Sequence, residues 1–315
     1  MHELATRVGC QWIYKCRNRP RENKHGPYNP TQDRISFIRL PNQETHCYRT
    51  SAKRFTYINR SQDKLSAMPQ TIVLITGASR GLGLATVQRF LALENHTVIA
   101  ANRDPSHATS LSLGDLPKGQ GSSLIVTAYD AQSEASPFLA VQELREKHGI
   151  SHLDIVVPNA AISKIYPLAR EVRRTDIVEH FEVNVLSVIS LFQATRELLR
   201  ASPSKKPVFA IMGSGAGSLG RQPPVPSSAY GASKSMLFWY GIRINAEEEW
   251  LNTFVIDPGW VQTEMGNAAA RQWGMKEATQ PVDGTMDNVV ELLRTTTKEK
   301  HGGKAVLYTG EVLEW

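Results

Sequence analysis

From residue 71 onward, short apolar stretches rich in β-branched residues alternate with stretches in which apolar residues recur every three or four positions. The first pattern is typical of buried strands and the second of amphipathic helices. Strands are predicted at seven places: 71–75, 97–101, 124–127, 153–157, 208–212, 253–256 and 305–308. Because they are apolar throughout and alternate with helices, we predict an α/β fold, a doubly wound seven-stranded parallel sheet with helices on both faces.

Helices are predicted over 84–93 and 137–148, and a long one over 176–200 with Asp176 as its N-cap. Another begins at Tyr230 and ends early, at the acidic run that follows Ala246. The sequence shows no internal repeat, long linker or second domain after Met68. Residues 68–315 are therefore predicted to form a single domain.

The first strand runs directly into a glycine-rich turn, Thr76-Gly-Ala-Ser-Arg-Gly-Leu-Gly83, and then into a helix. A strand, a glycine turn and a helix in this order place backbone N–H groups at a helix N-terminus, where they can hold a pyrophosphate. Glycines alone are weak evidence, but in this context they favour a Rossmann fold that binds a dinucleotide.

Charge is distributed unevenly along the 315 residues, whose net charge is +6. Residues 1–67 carry thirteen Lys and Arg against five Asp and Glu, so the rest of the chain is close to neutral. The N-terminal part shows no sustained period, and disorder is the default interpretation. We favour a dispensable extension before a functional start at Met68; an organelle presequence or a basic nucleic-acid-binding arm are alternatives.

Metal binding by the N-terminal extension is the remaining alternative for residues 1–67. All three cysteines lie there, but the candidate ligands have no tetrahedral spacing: Cys10, Cys16, His25, His46 and Cys47. We therefore expect no metal site. No apolar run approaches the eighteen or so residues of a membrane span, and no secretory signal is evident. The expectation is a cytoplasmic protein without a membrane or nucleic-acid partner.

Candidate chemistry centres on Ser214, Tyr230 and Lys234. The spacing of Tyr230 and Lys234 stacks the phenol and the ammonium on one face of a helix. A nearby ammonium is expected to lower the pKa of the phenol, so that Tyr230 could transfer a proton near neutral pH. Alone, this pair is more often an ordinary helix start with a solvated lysine.

Seven motifs in one order resemble the short-chain dehydrogenase/reductase family: the glycine turn from Thr76 to Gly83, Asp130, Asn159-Ala160, Asn184, Ser214, Tyr230-x-x-x-Lys234 and Pro258-Gly259 leading to Thr263. The resemblance covers about residue 69 to the C-terminus. Around Pro258 and at the chain's end, the sequence is similar to fungal polyketide ketoreductases typified by norsolorinic acid ketoreductase, which act in secondary metabolism.

The resemblance implies a catalytic set of Asn184, Ser214, Tyr230 and Lys234. Tyr230 would protonate the carbonyl oxygen as hydride arrives, and Ser214 would hydrogen-bond the same oxygen. Lys234 would hold the nicotinamide ribose, and Asn184 would complete a proton path through a bound water. The implied cofactor-binding residues are Gly77, Ser79, Arg80, Gly81, Leu82, Gly83, Arg103, Asp130, Asn159, Tyr230, Lys234, Pro258, Gly259, Val261 and Thr263.

The charged residues near the second strand and the glycine turn indicate whether NAD or NADP(H) is bound. The second strand ends in Ala101-Asn102-Arg103, without the carboxylate that would bind an NAD ribose, and Arg80 lies in the glycine turn. Two guanidinium groups suit a 2′-phosphate, so we predict NADP(H). Asp104 is the counter-argument, although its expected role is to cap the next segment.

The sequence departs from the family pattern at three places. Pro158 and Ala161 replace the usual Asn and Gly around Asn159, and the Pro-rich stretch 220–226 lengthens the loop between Ser214 and Tyr230. The short helix that begins at Tyr230 leaves open whether the protein is a homo-oligomer. A lid predicted over 264–280 contains Trp273 and two methionines, so an apolar or aromatic ketone is one interpretation of the substrate and simple packing of the lid the other.

Two functions of different kinds follow for residues 68–315. The preferred one is NADPH-dependent reduction of a small-molecule ketone or aldehyde. The alternative is a non-catalytic NADP(H)-binding regulator of the same fold.

Overall fold

The computed structural model describes residues 70–314. The predictions for residues 1–67 lie outside the described residues. Eight strands form one sheet, in the order β3-β2-β1-β4-β5-β6-β7-β8. Their bounds are β1 Thr71–Thr76, β2 His96–Asn102, β3 Ser123–Ala128, β4 Ile155–Val157, β5 Val208–Met212, β6 Asn252–Asp257, β7 Ala305–Leu307 and β8 Val312–Leu313.

The helices lie between these strands: α1 Gly81–Ala92, α2 Ala108–Leu111, α3 Ser136–His148, α4 Arg174–Phe181, α5 Ser187–Arg200, α6 Tyr230–Glu247, α7 Glu264–Gln272, α8 Val282–Thr295 and α9 Lys298–His301. Short 3₁₀ turns occupy Ser112–Asp115 and Gly215–Gly217, and a π-helical turn, Glu182–Leu186, joins α4 to α5. The α/β Rossmann architecture with helices on both faces is confirmed.

Two apolar clusters cover the two faces of the sheet, because successive side chains of a strand point to opposite sides. In β1, Val73 and Ile75 belong to the cluster that α1 and α8 complete. Ile72 and Leu74 belong to the cluster on the other face, which includes residues of α3, α5 and α6. The strands therefore read as continuous apolar runs, as expected of a parallel sheet buried on both faces.

The expected number of strands, seven, is one too few. An eighth strand, Val312–Leu313, pairs antiparallel with β7 through a tight turn at Gly310, whose φ is +87°. A two-residue strand shows no periodicity, so the sequence pattern could not indicate it.

The long helix predicted over 176–200 begins earlier and is not regular. The prediction that Asp176 is its N-cap is wrong: Arg173 has the extended backbone of a cap, and Asp176 lies in the first turn of α4. The Asp176 carboxylate accepts hydrogen bonds of 2.7 and 2.8 Å from the Arg173 guanidinium. An acid in the first turn also interacts favourably with the helix dipole.

The stretch Arg174–Arg200 is long enough and apolar enough to cross a membrane, judged by its length and composition alone. Its residues Val188, Leu191 and Leu198 are buried in the cluster that covers one face of the sheet. A core helix of a globular protein passes the same length and composition test, and this packing is typical of one.

Candidate active site

The predicted site residues gather at the carboxyl edge of the sheet, where the strand order reverses between β1 and β4. In open α/β sheets this switch point is where ligands bind. Thr76 at the end of β1 pairs with Ala101 of β2, and Ile75 pairs with Val157 of β4. The loops that leave these strands therefore face one common crevice.

The glycine turn between β1 and α1 requires its glycines. Gly77 and Gly81 have φ of +62° and +56°. A Cβ on Gly77 would lie 2.9 Å from the Ala160 Cα, and one on Gly83 would lie 2.2 Å from the Gly77 carbonyl oxygen. Ser79 and Leu82 complete the turn. It is thus packed tightly between the start of α1 and the loop after β4.

The first turn of α1 is suited to an anion. Its N-cap residue, Arg80, makes no capping side-chain hydrogen bond within the described residues. The first N–H groups of a helix have no intrahelical partner and carry a partial positive charge. A phosphate group can satisfy them.

Two asparagines brace the glycine turn. Asn159 donates from Nδ2 to the Thr76 carbonyl at 2.9 Å, and Asn102 accepts from the Ala78 amide at 2.8 Å. The Thr76 hydroxyl in turn accepts hydrogen bonds from the backbone amides of Asn159 and Ala160. Asn159 therefore stabilises the glycine turn from the loop after β4. The bracing role of Asn102 was missed in the sequence, where only the absence of an acid at this strand end was noticed.

The basic groups predicted for a 2′-phosphate differ in their surroundings. Arg103 is exposed at the end of β2, and no ion pair involves it among residues 70–314. Arg80 forms an ion pair of 2.9 Å with Glu264, and both side chains are about three-quarters exposed (75% and 77%). The prediction that Asp104 caps the next segment is wrong: His107 is the N-cap of α2, and the Asp104 carboxylate instead accepts the Ser106 amide at 2.8 Å in a local turn.

Other predicted cofactor residues line the two ends of the crevice. Asp130 follows β3, and its Oδ1 accepts the Gln132 amide at 3.0 Å in a local turn. Beyond β6, Gly259 has φ of +73°, and Thr263 caps α7 by accepting the Gly266 amide at 3.1 Å. A Cβ on Gly81 would lie 3.6 Å from Thr263, so the glycine turn and the start of α7 are neighbours. Pro258 and Val261 lie between these points.

Ser214, Tyr230 and Lys234 come together at the end of β5. Ser214 follows the strand at the start of a 3₁₀ turn and hydrogen-bonds Tyr230, the first residue of α6. One turn later, Lys234 is buried, donates to the Met212 carbonyl at 2.8 Å, and lies 5.8 Å from the centre of the Tyr230 ring. The structure thus brings the predicted trio into one cluster.

The protonation equilibria of this cluster differ from the expectation. Burial raises the pKa of Tyr230 to about 12, which the Ser214 hydrogen bond opposes and the neighbouring Tyr166 and Asp257 reinforce. Burial lowers the pKa of Lys234 to about 8. The predicted lowering of the tyrosine pKa by Lys234 is therefore not found, because removal of both groups from water favours their neutral forms.

Asn184 lies in the π-helical turn between α4 and α5, a feature that is frequent at functional sites. Its Oδ1 accepts the Ile162 amide at 2.8 Å, and its Nδ2 donates to the Ile162 carbonyl at 3.0 Å and to Ser233 Oγ at 2.9 Å. The side chain is almost completely buried. Asn184 therefore joins the loop after β4 to α6, directly beside the Tyr230 cluster.

Aromatic side chains border the cluster on the side of α7. Trp273, at the end of α7, meets Tyr166 at 5.1 Å and Trp260 at 5.5 Å between ring centres, in both cases edge to face. Trp260 also donates from Nε1 to the Gly266 carbonyl at 3.0 Å. Tyr166 was missed in the sequence, because a lone tyrosine in an irregular loop gives no signal.

Comparison with known proteins gives two kinds of relative. The family model described as short chain dehydrogenase matches residues 71–273. Norsolorinic acid ketoreductase nor1 of Dothistroma septosporum is 39% identical over 250 residues, covering 78% of this chain and 93% of the relative. Norsolorinic acid ketoreductase stcE of Emericella nidulans is 34% identical, with coverage of 78% and 94%.

Solved structures share the fold. An NADPH-bound carbonyl reductase from chicken fatty liver superposes with a TM-score of 0.68 at 24% identity, covering 79% of this chain and 100% of that one. The carbonyl reductase Sniffer of D. melanogaster gives a TM-score of 0.69 at 23% identity, with coverage of 78% and 100%.

Proposed function

Because the chain belongs to the short-chain dehydrogenase family, we propose that it reduces a ketone or aldehyde on a small organic molecule with NADPH as the hydride donor. The observation that carries this proposal is the cluster of Ser214, Tyr230 and Lys234 in the crevice bordered by the glycine turn. A hydroxyl, a phenol and a buried ammonium at that position suit proton transfer to a carbonyl oxygen.

The crevice fits a dinucleotide. Gly77 and Gly83 allow the close backbone packing that forms the turn, because a Cβ on either would meet the backbone of Ala160 or Gly77, and the start of α1 offers free backbone amides to a pyrophosphate. Arg103 and Arg80 would hold the 2′-phosphate, while Asp130 would contact the adenine. At the other end, the Val261 backbone and Thr263 would hold the carboxamide. When bound, the cofactor supplies the hydride.

The remaining steps belong to side chains of this chain. Ser214 would donate a hydrogen bond to the substrate oxygen and stabilise the negative charge that develops there. Tyr230 would give its proton to that oxygen; its raised pKa keeps the phenol protonated across the physiological range. Lys234 would orient the nicotinamide ribose. Asn184 would connect the cluster to solvent through a water held near Ile162.

An aromatic ketone of the polyketide type is the proposed class of substrate. Support comes from the names of the relatives at 34–39% identity, which are norsolorinic acid ketoreductases. The half-buried rings of Tyr166 and Trp273 beside Tyr230 agree with it. A cytoplasmic location and homo-oligomerisation stay predictions.

The test is NADPH oxidation with a panel of aliphatic and aromatic ketones. We expect turnover with at least one aromatic ketone, and a loss of about 100- to 1,000-fold in kcat for Ser214→Ala, as for removal of one oxyanion donor. Ser218→Ala is the matched control in the same loop. Tight NADPH binding without reduction of any ketone would contradict the proposal and favour a regulator.

A further inference from the structure

The loop after β4, residues 158–168, has no regular backbone structure, yet side chains of α4 and the π-helical turn fix it. Asn184 holds Ile162 by both its amide and its carbonyl. One turn earlier, His180 Nε2 accepts the Lys164 amide at 3.2 Å. The two contacts are four residues apart on the helical segment and two residues apart on the loop, so they form a two-point clamp.

His180 is well suited to this contact. It is fully buried, and its Nδ1 lies 2.7 Å from the Asp176 carbonyl oxygen. A carbonyl oxygen can only accept, so the proton lies on Nδ1 and the Nε2 lone pair faces the Lys164 amide. An ion pair between Lys164 and Glu179 joins the same loop to the same helix.

The clamped loop presents Tyr166 to the active site. On the other side of Tyr166, the Pro167 carbonyl accepts the Ser228 amide at 3.3 Å, two residues before Tyr230. Tyr166 is thus held between the His180 contact and the segment that leads into the catalytic tyrosine. It lies close enough to Tyr230 to contribute, after burial, to the raised pKa of that phenol.

Tyr166 and Trp273 form a corner rather than a stack. Their ring planes meet at 70°, and both side chains are only partly buried. Rings arranged this way can receive a third ring, face-on to one and edge-on to the other, which are the favoured aromatic geometries. Exposed apolar side chains lie on the segments that flank the site: Leu168, Leu219, Met265 and Met275.

We propose that Tyr166 and Trp273 bind the aromatic ring of the substrate beside Tyr230, and that His180 is the positioning residue that holds Tyr166 in place. The inference rests on the proposed function, since it concerns the substrate of the same site. It assigns the preference for an aromatic ketone to one pair of side chains. Packing of the lid alone would require no such preference.

The test compares two ketones of the same ring skeleton, β-tetralone and trans-β-decalone, of which only the first is aromatic. We expect the ratio of their kcat/KM values to fall about three- to tenfold in Tyr166→Leu and in Trp273→Leu, mainly through the KM of the tetralone. Tyr166→Phe keeps the ring and should keep the ratio. Trp239→Leu, which breaks an edge-to-face pair with Tyr240 on the outer side of α6, is the matched control.

His180 is tested by rescue. His180→Leu removes the acceptor for the Lys164 amide and should lower the same ratio, whereas His180→Gln keeps an acceptor and should restore it. A residue that merely supports the fold would affect both ketones equally. Circular dichroism and thermal unfolding of the full-length variants show whether each is folded.

The corresponding ratio of Kd values is measured by calorimetric titration of each ketone into the protein loaded with NADP⁺. This measurement does not require turnover. If neither ketone is reduced, the proposed function fails while the binding ratio still decides the inference. An unchanged ratio in Tyr166→Leu, by kinetics or by binding, would overturn the assignment. An equal loss in His180→Leu and His180→Gln would overturn the positioning role.

Discussion

Two arginines border the proposed 2′-phosphate site, and the structure predicts that they contribute unequally. Arg103 is exposed without an ion-pair partner among residues 70–314, so its guanidinium can face the phosphate directly. Arg80 is engaged with Glu264 at 2.9 Å and has to leave that partner first. We therefore expect Arg103→Ala to weaken NADPH binding more than Arg80→Ala.

The magnitudes follow from the types of contact. A hydrogen bond to a charged group is worth about 1.5–3 kcal/mol, so Arg103→Ala should raise the NADPH Kd about 10- to 100-fold. An exposed ion pair contributes little, so release of Arg80 in Glu264→Gln should lower that Kd only about two- to fivefold. The NADH Kd should change little in each variant, because NADH lacks the 2′-phosphate.

The assay is fluorescence titration of NADPH and NADH into the wild type, Arg80→Ala, Arg103→Ala, Glu264→Gln and the double variant Arg80→Ala/Glu264→Gln. In the double variant the gain from Glu264→Gln should disappear, since it acts through Arg80. Arg271→Ala, a basic residue elsewhere on α7, is the control. Equal losses for NADPH and NADH in Arg103→Ala would refute the assignment of that residue to the phosphate.

Three further residues of the same crevice, Asn184, Lys234 and Gly83, also give testable predictions. Asn184→Ala should lower the unfolding free energy by about 1–3 kcal/mol, because it removes the acceptor of the partly buried Ile162 amide and one donor to the Ser233 hydroxyl; chemical denaturation measures this, and a loss below ~0.5 kcal/mol would contradict it. Because the pKa of Lys234 is about 8, kcat/KM should fall as pH rises through 8. Between pH 8 and about 10.4, the pKa of an unfolded lysine, the unfolded chain binds more protons at Lys234 than the folded protein does. The unfolding free energy of the wild type relative to Lys234→Met should therefore rise from pH 8 to 10. A difference that does not change with pH would count against the lowered pKa. Gly83→Ala should abolish NADPH binding in titrations, since its Cβ would meet the Gly77 carbonyl oxygen, and wild-type affinity would contradict the tight turn.

The parallel sheet could be predicted because the central residues of its strands form continuous apolar runs, whereas apolar residues recur every three or four positions in the helices. Val208–Met212 has the predicted bounds. Short or irregular features gave no periodic signal. The two-residue strand β8 and the π-helical turn around Asn184 are set by tertiary contacts and not by local sequence.

The cluster of Ser214, Tyr230 and Lys234 could be predicted because spacing on a helix places Tyr230 beside Lys234, and the order of the family motifs indicates Ser214. The loop after β4 could not, since its conformation depends on His180 and Asn184, which are distant in sequence from the residues they hold. The protonation states were also inaccessible. Spacing indicates that an ammonium and a phenol are neighbours, but only the structure shows that both are buried, and burial outweighs their proximity.

Whether Tyr230 donates a proton to a carbonyl during reduction by NADPH is tested most directly by Tyr230→Phe. The measurement is the rate of NADPH oxidation at saturating cofactor with the best ketone, together with the NADPH Kd of the variant. We expect a loss of about 100- to 10,000-fold in kcat, the usual contribution of a general acid, with an unchanged Kd. Wild-type turnover in Tyr230→Phe would contradict it.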